Sequence, residues 1–218
     1  MKTFTMTHAH LTERVIDGRY DVGIWLNVLL IILECIALIQ CLDALGCIDL
    51  TFYTIDSNIF LLISAVLYLI SRKNIPYIVH LAKYSSTVSV LITFLVVLFA
   101  LYPLSNFDFQ FMFLSGPNLL MHVLCPIIAL ISFLLFEENS LENTLKNNLR
   151  ALYFTVIYAL MLISLNILKI VVGPYPFLKV YELSVFVSVF WILGIFIGAF
   201  ILARLLLMIK ELNSILHG

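Results

Sequence analysis

A hydroxyl beside an imidazole is the smallest arrangement that can carry nucleophilic acyl transfer, because an alcohol must lose its proton as it attacks a carbonyl. The sequence offers one such pair inside its apolar runs, Thr54 and His122. Thr54, Ser57 and Asn58 stand at i, i+3 and i+4 and so share a helical face, from which Asp56 points away. Asn118, His122 and Cys125 share a face by the same spacing, and Pro126 releases a backbone carbonyl one turn earlier, at His122. His122 lies about 10 Å below the start of its run at 1.5 Å per residue, close to the depth of Thr54. A cavity between the two runs would let them meet, with Asn58 or Asn118 as amide donor to a developing oxyanion. The competing reading is structural. Small hydroxyls are common contacts between membrane helices, and a single His can be a packed, hydrogen-bonded side chain. From the residues alone that reading leads.

The elements that must position these residues follow from composition. Of 218 residues, 63% are apolar and 11% charged, whereas a soluble domain has about 45–50% and 25%. A hydrocarbon core about 30 Å thick needs roughly 20 apolar residues per helical crossing. The apolar runs predict six spans, near 24–42, 51–70, 84–102, 115–136, 151–172 and 184–209. They lack period-two alternation, so an all-α bundle of six transmembrane helices is expected over a barrel. The organisation is then a cytoplasmic N-terminal segment 1–23, a transmembrane domain 24–209 and a cytoplasmic tail 210–218. Span one reads as a retained helix instead of a cleaved signal.

Ten bases (Lys2, Arg14, Arg19, Arg72, Lys73, Lys83, Lys146, Arg150, Arg204, Lys210) fall on one side and two, Lys169 and Lys179, on the other. The positive-inside rule places both termini in the cytoplasm. A formal net charge of -1 offers no polyanion surface, so no nucleic-acid partner is expected. The segment Glu137 to Arg150 reads as a solvated connection without a functional role. Cys35, Cys41, Cys47 and Cys125 form no CxxC pair and no zinc spacing, so no metal and no cofactor is expected. Cys41 and Cys47 could be bonded in an oxidising compartment.

Ionisable groups inside spans are costly and mark candidate sites. Glu34, Asp56, His122 and Lys169 would all lie in the outer half of the bilayer. Glu34 shares a face with Asn27 and Ile31, and pairing with Lys169 ranks ahead of a role as proton relay or amine partner. Asp56 reads as a capping or snorkelling residue, or as a general acid. The row Ser86, Ser89 and Thr93 reads as helix-packing contacts, and most Phe and Tyr residues as lipid-facing or interfacial.

Four segments in order, Phe52 to Asn58 (FYTIDSN), Ile92 to Phe94 (ITF), Asn118 to Pro126 (NLLMHVLCP) and Gly173 to Phe177 (GPYPF), resemble the microbial branch of the androgen-induced-gene-like family of six-helix integral membrane proteins. Animal members of that family are threonine hydrolases of fatty-acid esters of hydroxy fatty acids. The resemblance implies Thr54 as nucleophile, with Thr51 as the alternative register, and His122 as general base. Ser57, Asn58, Asn118, Glu34 and Asp56 are then candidates for substrate or oxyanion contacts. Ser132 stands where relatives carry an acid. The implied substrate is a lipid-like ester drawn laterally from the outer leaflet, in the plasma membrane of a microbe, with membrane lipids as surroundings. The reading from a different class is a non-enzymatic lipid or small-molecule binding protein or transporter, with Glu34, Asp56, His122 and Lys169 as a relay or ligand cage. A scaffold without a chemical site is a third.

Overall fold

A computed structural model of the chain describes residues 2–138 and 140–217, with side chains described for 18, 20–44, 46–138 and 140–213. The chain is all-helical, with no strand among the described residues. In order it forms α1 (Lys2–Leu45), α2 (Tyr53–Ile70), α3 (Tyr77–Leu104), α4 (Leu119–Phe136), α5 (Leu145–Ala151), α6 (Tyr153–Ile167) and α7 (Val185–His217). Five stretches are long and apolar enough to cross a membrane: Tyr20–Ala44 of α1, α2, α3, α4 and Val185–Asn213 of α7. The pair α5 and α6, bent by 44°, makes a sixth if counted as one span. The protein is a multi-pass membrane protein. Residues 2–23 and 210–217 continue the helices they adjoin; Met1, Gly218 and the side chains of Lys2, Arg14 and Arg19 lie outside the described residues.

The face that α1 buries repeats every seven residues: Gly23, Asn27, Leu30, Glu34, Ala37 and Cys41. That alternation of four and three keeps one side of a helix against its neighbours, while Trp25, Ile32, Ile36 and Ile39 on the other side are exposed for lipid. Gly23 makes the close approach possible. A Cβ there would sit 2.5 Å from the carbonyl oxygen of Phe136. The row proposed as packing contacts does pack: Ser86 meets Ser64 of α2 at 2.7 Å, and Thr93 meets Ser57 at 2.9 Å.

Helix α4 is π-helical over Leu119–Leu124 and again over Ser132–Phe136. The Cys125 amide bonds the Leu120 carbonyl, five residues back. In that register the amide missing at Pro126 would have served Met121, so the orphaned carbonyl is Met121's and not His122's. Asn58 of α2 brings its Nδ2 to that oxygen at 3.4 Å.

Three expectations from sequence are overturned. Span three starts at Tyr77, seven residues earlier than expected, because Lys83 is no loop residue; it is 1% exposed. Its Nζ lies 3.3 Å from Oε1 of Glu137, and donates to Oδ1 of Asn27 at 2.8 Å. Glu137, read as solvated, is 4% exposed and also accepts from Asn27 Nδ2 (2.8 Å) and Ser132 Oγ (2.7 Å). Third, Glu34 and Lys169 do not pair. Lys169 adopts φ of 58° just after α6, ending that helix short of the expected 172, and its ammonium stacks 5.0 Å from the Tyr181 ring. All four cysteines are free, with Cys41 buried and Cys47 exposed.

Breaking a buried pair strands the surviving charge. Lys83→Ala or Glu137→Ala is therefore expected to destabilise the detergent-solubilised protein by about 3–5 kcal/mol, whereas the double replacement Lys83→Met with Glu137→Leu recovers most of that loss. Thermal unfolding of the three variants checks the order.

Candidate functional site

The start of α2 carries Thr54, and the residues around it are held by hydroxyls. Ser57 Oγ (3.1 Å) and Asn58 Nδ2 (2.7 Å) both donate back to the Thr54 carbonyl. Their shared face is thus real, but it serves the backbone. The Thr54 amide points to the Tyr175 hydroxyl at 3.4 Å. Tyr175 lies in the loop between α6 and α7, and burial holds its phenol above the ordinary value, so it stays a neutral hydroxyl. Nearby, Tyr53 and Thr155 share a 2.6 Å hydroxyl contact and Tyr158 donates to the Thr51 carbonyl at 2.6 Å. Thr51 itself donates to Asp49 at 2.7 Å, outside α2. Asp56 is half-buried.

His122 is 7% exposed. Its Nδ1 is 2.7 Å from the Met112 carbonyl. A carbonyl only accepts, so in the neutral ring the proton sits on Nδ1 and the lone pair of Nε2 is the available base. Asn118 Nδ2 donates to the Phe111 carbonyl at 2.8 Å. Both side chains therefore hold the π-helical segment Gln110–Leu114 against α4, and Asn118 is exposed to neither cavity nor oxyanion through that donor.

Thr54 lines an almost wholly apolar cavity of about 250 Å³ between α2, α3, α6 and α7, with Tyr53, Thr93, Thr155, Tyr158, Tyr175 and Phe196 also in its lining. A second groove of about 320 Å³ shares Ile92, Val96 and Ile195 with it, and opens between α3 and α7 over Phe99, Gly194 and Gly198. No atom lies within 4 Å of where a Cβ would stand on either glycine. The GPYPF loop forms part of the cavity wall through stacked rings: Tyr175 on Phe177 and Phe177 on Trp191, each 5.4 Å apart.

The structure thus places Thr54 and His122 on two sides of one junction. Among the described residues no hydrogen bond joins hydroxyl to imidazole, and the Thr54 cavity lies towards α3, α6 and α7 and not towards α4, where sequence put it. What joins them is Asn58, whose Nδ2 reaches the carbonyls of both Thr54 and Met121. Glu34 is fully buried between α1 and α4, and Lys169 lies at the exposed end of α6. The relay or cage of Glu34, Asp56, His122 and Lys169 is not assembled.

Sequence reasoning missed the tyrosines. Tyr53, Tyr68, Tyr84, Tyr158 and Tyr175 are buried; the signal was that Tyr53 flanks Thr54 and Tyr175 sits between two prolines, both inside the segments singled out. Comparison with family models, curated proteins and solved structures gives no match.

Because Asn58 supplies a donor to the open carbonyl of Met121, Asn58→Ala is expected to cost about 1–3 kcal/mol. Asn58→Asp keeps the shape but loses the donor, so its melting temperature should fall at least as far; a melting temperature at the wild-type value for Asp would contradict the bridge.

Proposed function

We propose that the protein is an intramembrane hydrolase of lipid-like esters, with Thr54 as nucleophile and His122 as general base. The observation that carries this reading is the position of Thr54 on the wall of an apolar cavity. Such a cavity suits an acyl chain. The fixed Nδ1 proton of His122 supports it further, since the same arrangement orients the base in hydroxyl-nucleophile enzymes. Thr54 attacks the carbonyl carbon, His122 takes the hydroxyl proton and returns it to the departing alkoxide, and water then cleaves the acyl-threonine ester. For that, closure about Asn58 must bring hydroxyl and imidazole to hydrogen-bond distance. Thr54 fits the nucleophile's place better than Thr51, whose hydroxyl is spent on Asp49. The reading also takes up the resemblance to the androgen-induced-gene-like family.

In this proposal the bent pair α5 and α6 is one span, making six, and both termini face the cytoplasm of a microbial plasma membrane. Arg72, Lys73, Lys146, Arg150 and Lys210, in the connections and the tail, support that orientation through the positive-inside rule. A C-terminal reporter active only outside the cell would reverse it.

A second reading is a lipid-binding protein without chemistry. The unjoined hydroxyl and imidazole favour it. Long-chain ester hydrolysis, measured beside thermal stability, separates the two. Catalysis predicts a loss of about 10²–10⁴-fold for His122→Ala and for Thr54→Ala, little further loss in the double variant, and partial activity in Thr54→Ser. It also predicts a fluorophosphonate adduct on Thr54. No hydrolysis above background in the wild type, with no adduct on Thr54, leaves the binding protein; retained turnover per folded molecule in His122→Ala removes His122 as the base.

A further inference from the structure

The bundle neutralises one buried carboxylate fully and another not at all. Glu137 has Lys83, Asn27 and Ser132 around it. Glu34 is 0% exposed, no nitrogen or oxygen donor reaches either of its oxygens, and the polar group beside it is the Cys125 thiol, a weak donor. The depth of Glu34 is fixed by two contacts of α1 with α4: Asn27 Nδ2 to Ser132 Oγ at 3.4 Å below it, and Cys41 Sγ to Met121 Sδ at 3.8 Å above it. At 1.5 Å per residue, Glu34 is about 21 Å along α1 from Tyr20 and about 15 Å from Ala44, near the middle of the hydrocarbon.

Every element packed around Glu34 withholds a cation. On its own helix the neighbouring titratable group is the Cys41 thiol, and α4 presents the Cys125 thiol. From α2 come Ile55 and Leu61, and from α3 Val90. The charged pair Lys83 and Glu137 lies two turns away, beyond the layer of Leu30, Leu61 and Ala129. Asn58 Oδ1 on α2 is a further buried acceptor without a donor. An isolated carboxylate in such surroundings is far less favourable than the neutral acid.

We propose that Glu34 is a proton-binding site at the middle of the bundle, a neutral carboxylic acid between α1 and α4 that is the reactive target of lipid-soluble carbodiimides. This is independent of the ester-hydrolase reading. Release of the proton would leave a bare anion among Leu30, Ala37 and Leu61, so its ionisation is tied to the admission of water or a cation between the two helices.

The chemistry of the test follows from the neutral form. The acid proton moves to a carbodiimide nitrogen and the carboxylate oxygen bonds the central carbon. The O-acylisourea so formed rearranges, by transfer of the acyl group to nitrogen, to a stable N-acylurea; nothing leaves. Membranes containing the full chain are treated at neutral pH with dicyclohexylcarbodiimide and, separately, with a water-soluble carbodiimide, and the adducts are located by peptide mass spectrometry. The expected result is an adduct on Glu34 from the lipid-soluble reagent alone, absent from Glu137 and lost in Glu34→Gln. No adduct on Glu34, or equal modification by the soluble reagent, overturns the proposal. Slowing of the adduct by sodium ions but not by choline overturns it in favour of a cation site.

Discussion

Lys83 cannot be left alone in hydrocarbon. Water is absent to stabilise its ammonium, so the chain must bring acceptors to it, and it does so from two other helices: Asn27 of α1 and Glu137 just after α4. Lys210 of α7 then donates to the carbonyls of Phe133, Leu134 and Glu137. Four helices are tied at one polar knot near the termini. The knot's specificity is directional, since each hydrogen bond fixes a rotation as well as a distance, and apolar contacts in lipid supply little of that. The opposite end, where Thr54 lies, is held by hydroxyl contacts and stacked rings that are individually weaker.

That asymmetry places rigidity and adaptability at different ends. At the Thr54 end, one asparagine amide bridges the two helices that carry the hydroxyl and the imidazole, and its bond to Met121 is long. The π-helical turns of α3 at Val97–Leu101 and of α4 at Leu119–Leu124 flank this region. Each sits beside a proline, Pro103 or Pro126, whose missing amide already breaks the regular ladder. A small rotation about these turns costs no hydrogen bond that an ordinary helix would have kept.

The class of fold was readable because composition and run length report solvation directly: apolar stretches near 20 residues have one use. The face shared by Thr54, Ser57 and Asn58 was readable from helical spacing. What spacing could not give was the partner. Lys83 and Glu137 lie 54 positions apart and each borders a polar segment, so both looked solvated; only their meeting shows that they are buried. The cavity beside Thr54 escaped for a similar reason. A span can face any of several neighbours, and the choice between α4 and α7 is made by packing of Tyr53, Tyr158 and Tyr175, residues whose hydroxyls are also common at membrane surfaces. The register of the π turn at Pro126 moved the open carbonyl by one residue, a shift invisible to an i−4 rule.

The groove between α3 and α7, with Gly194 and Gly198 at its floor, has a kinetic meaning. A molecule reaching Thr54 by that route arrives from the acyl layer, where concentration is a mole fraction of lipid and not an amount per litre. Diluting membranes with buffer would leave such a reaction's rate per protein unchanged, while diluting the substrate with inert lipid at constant bulk concentration would slow it.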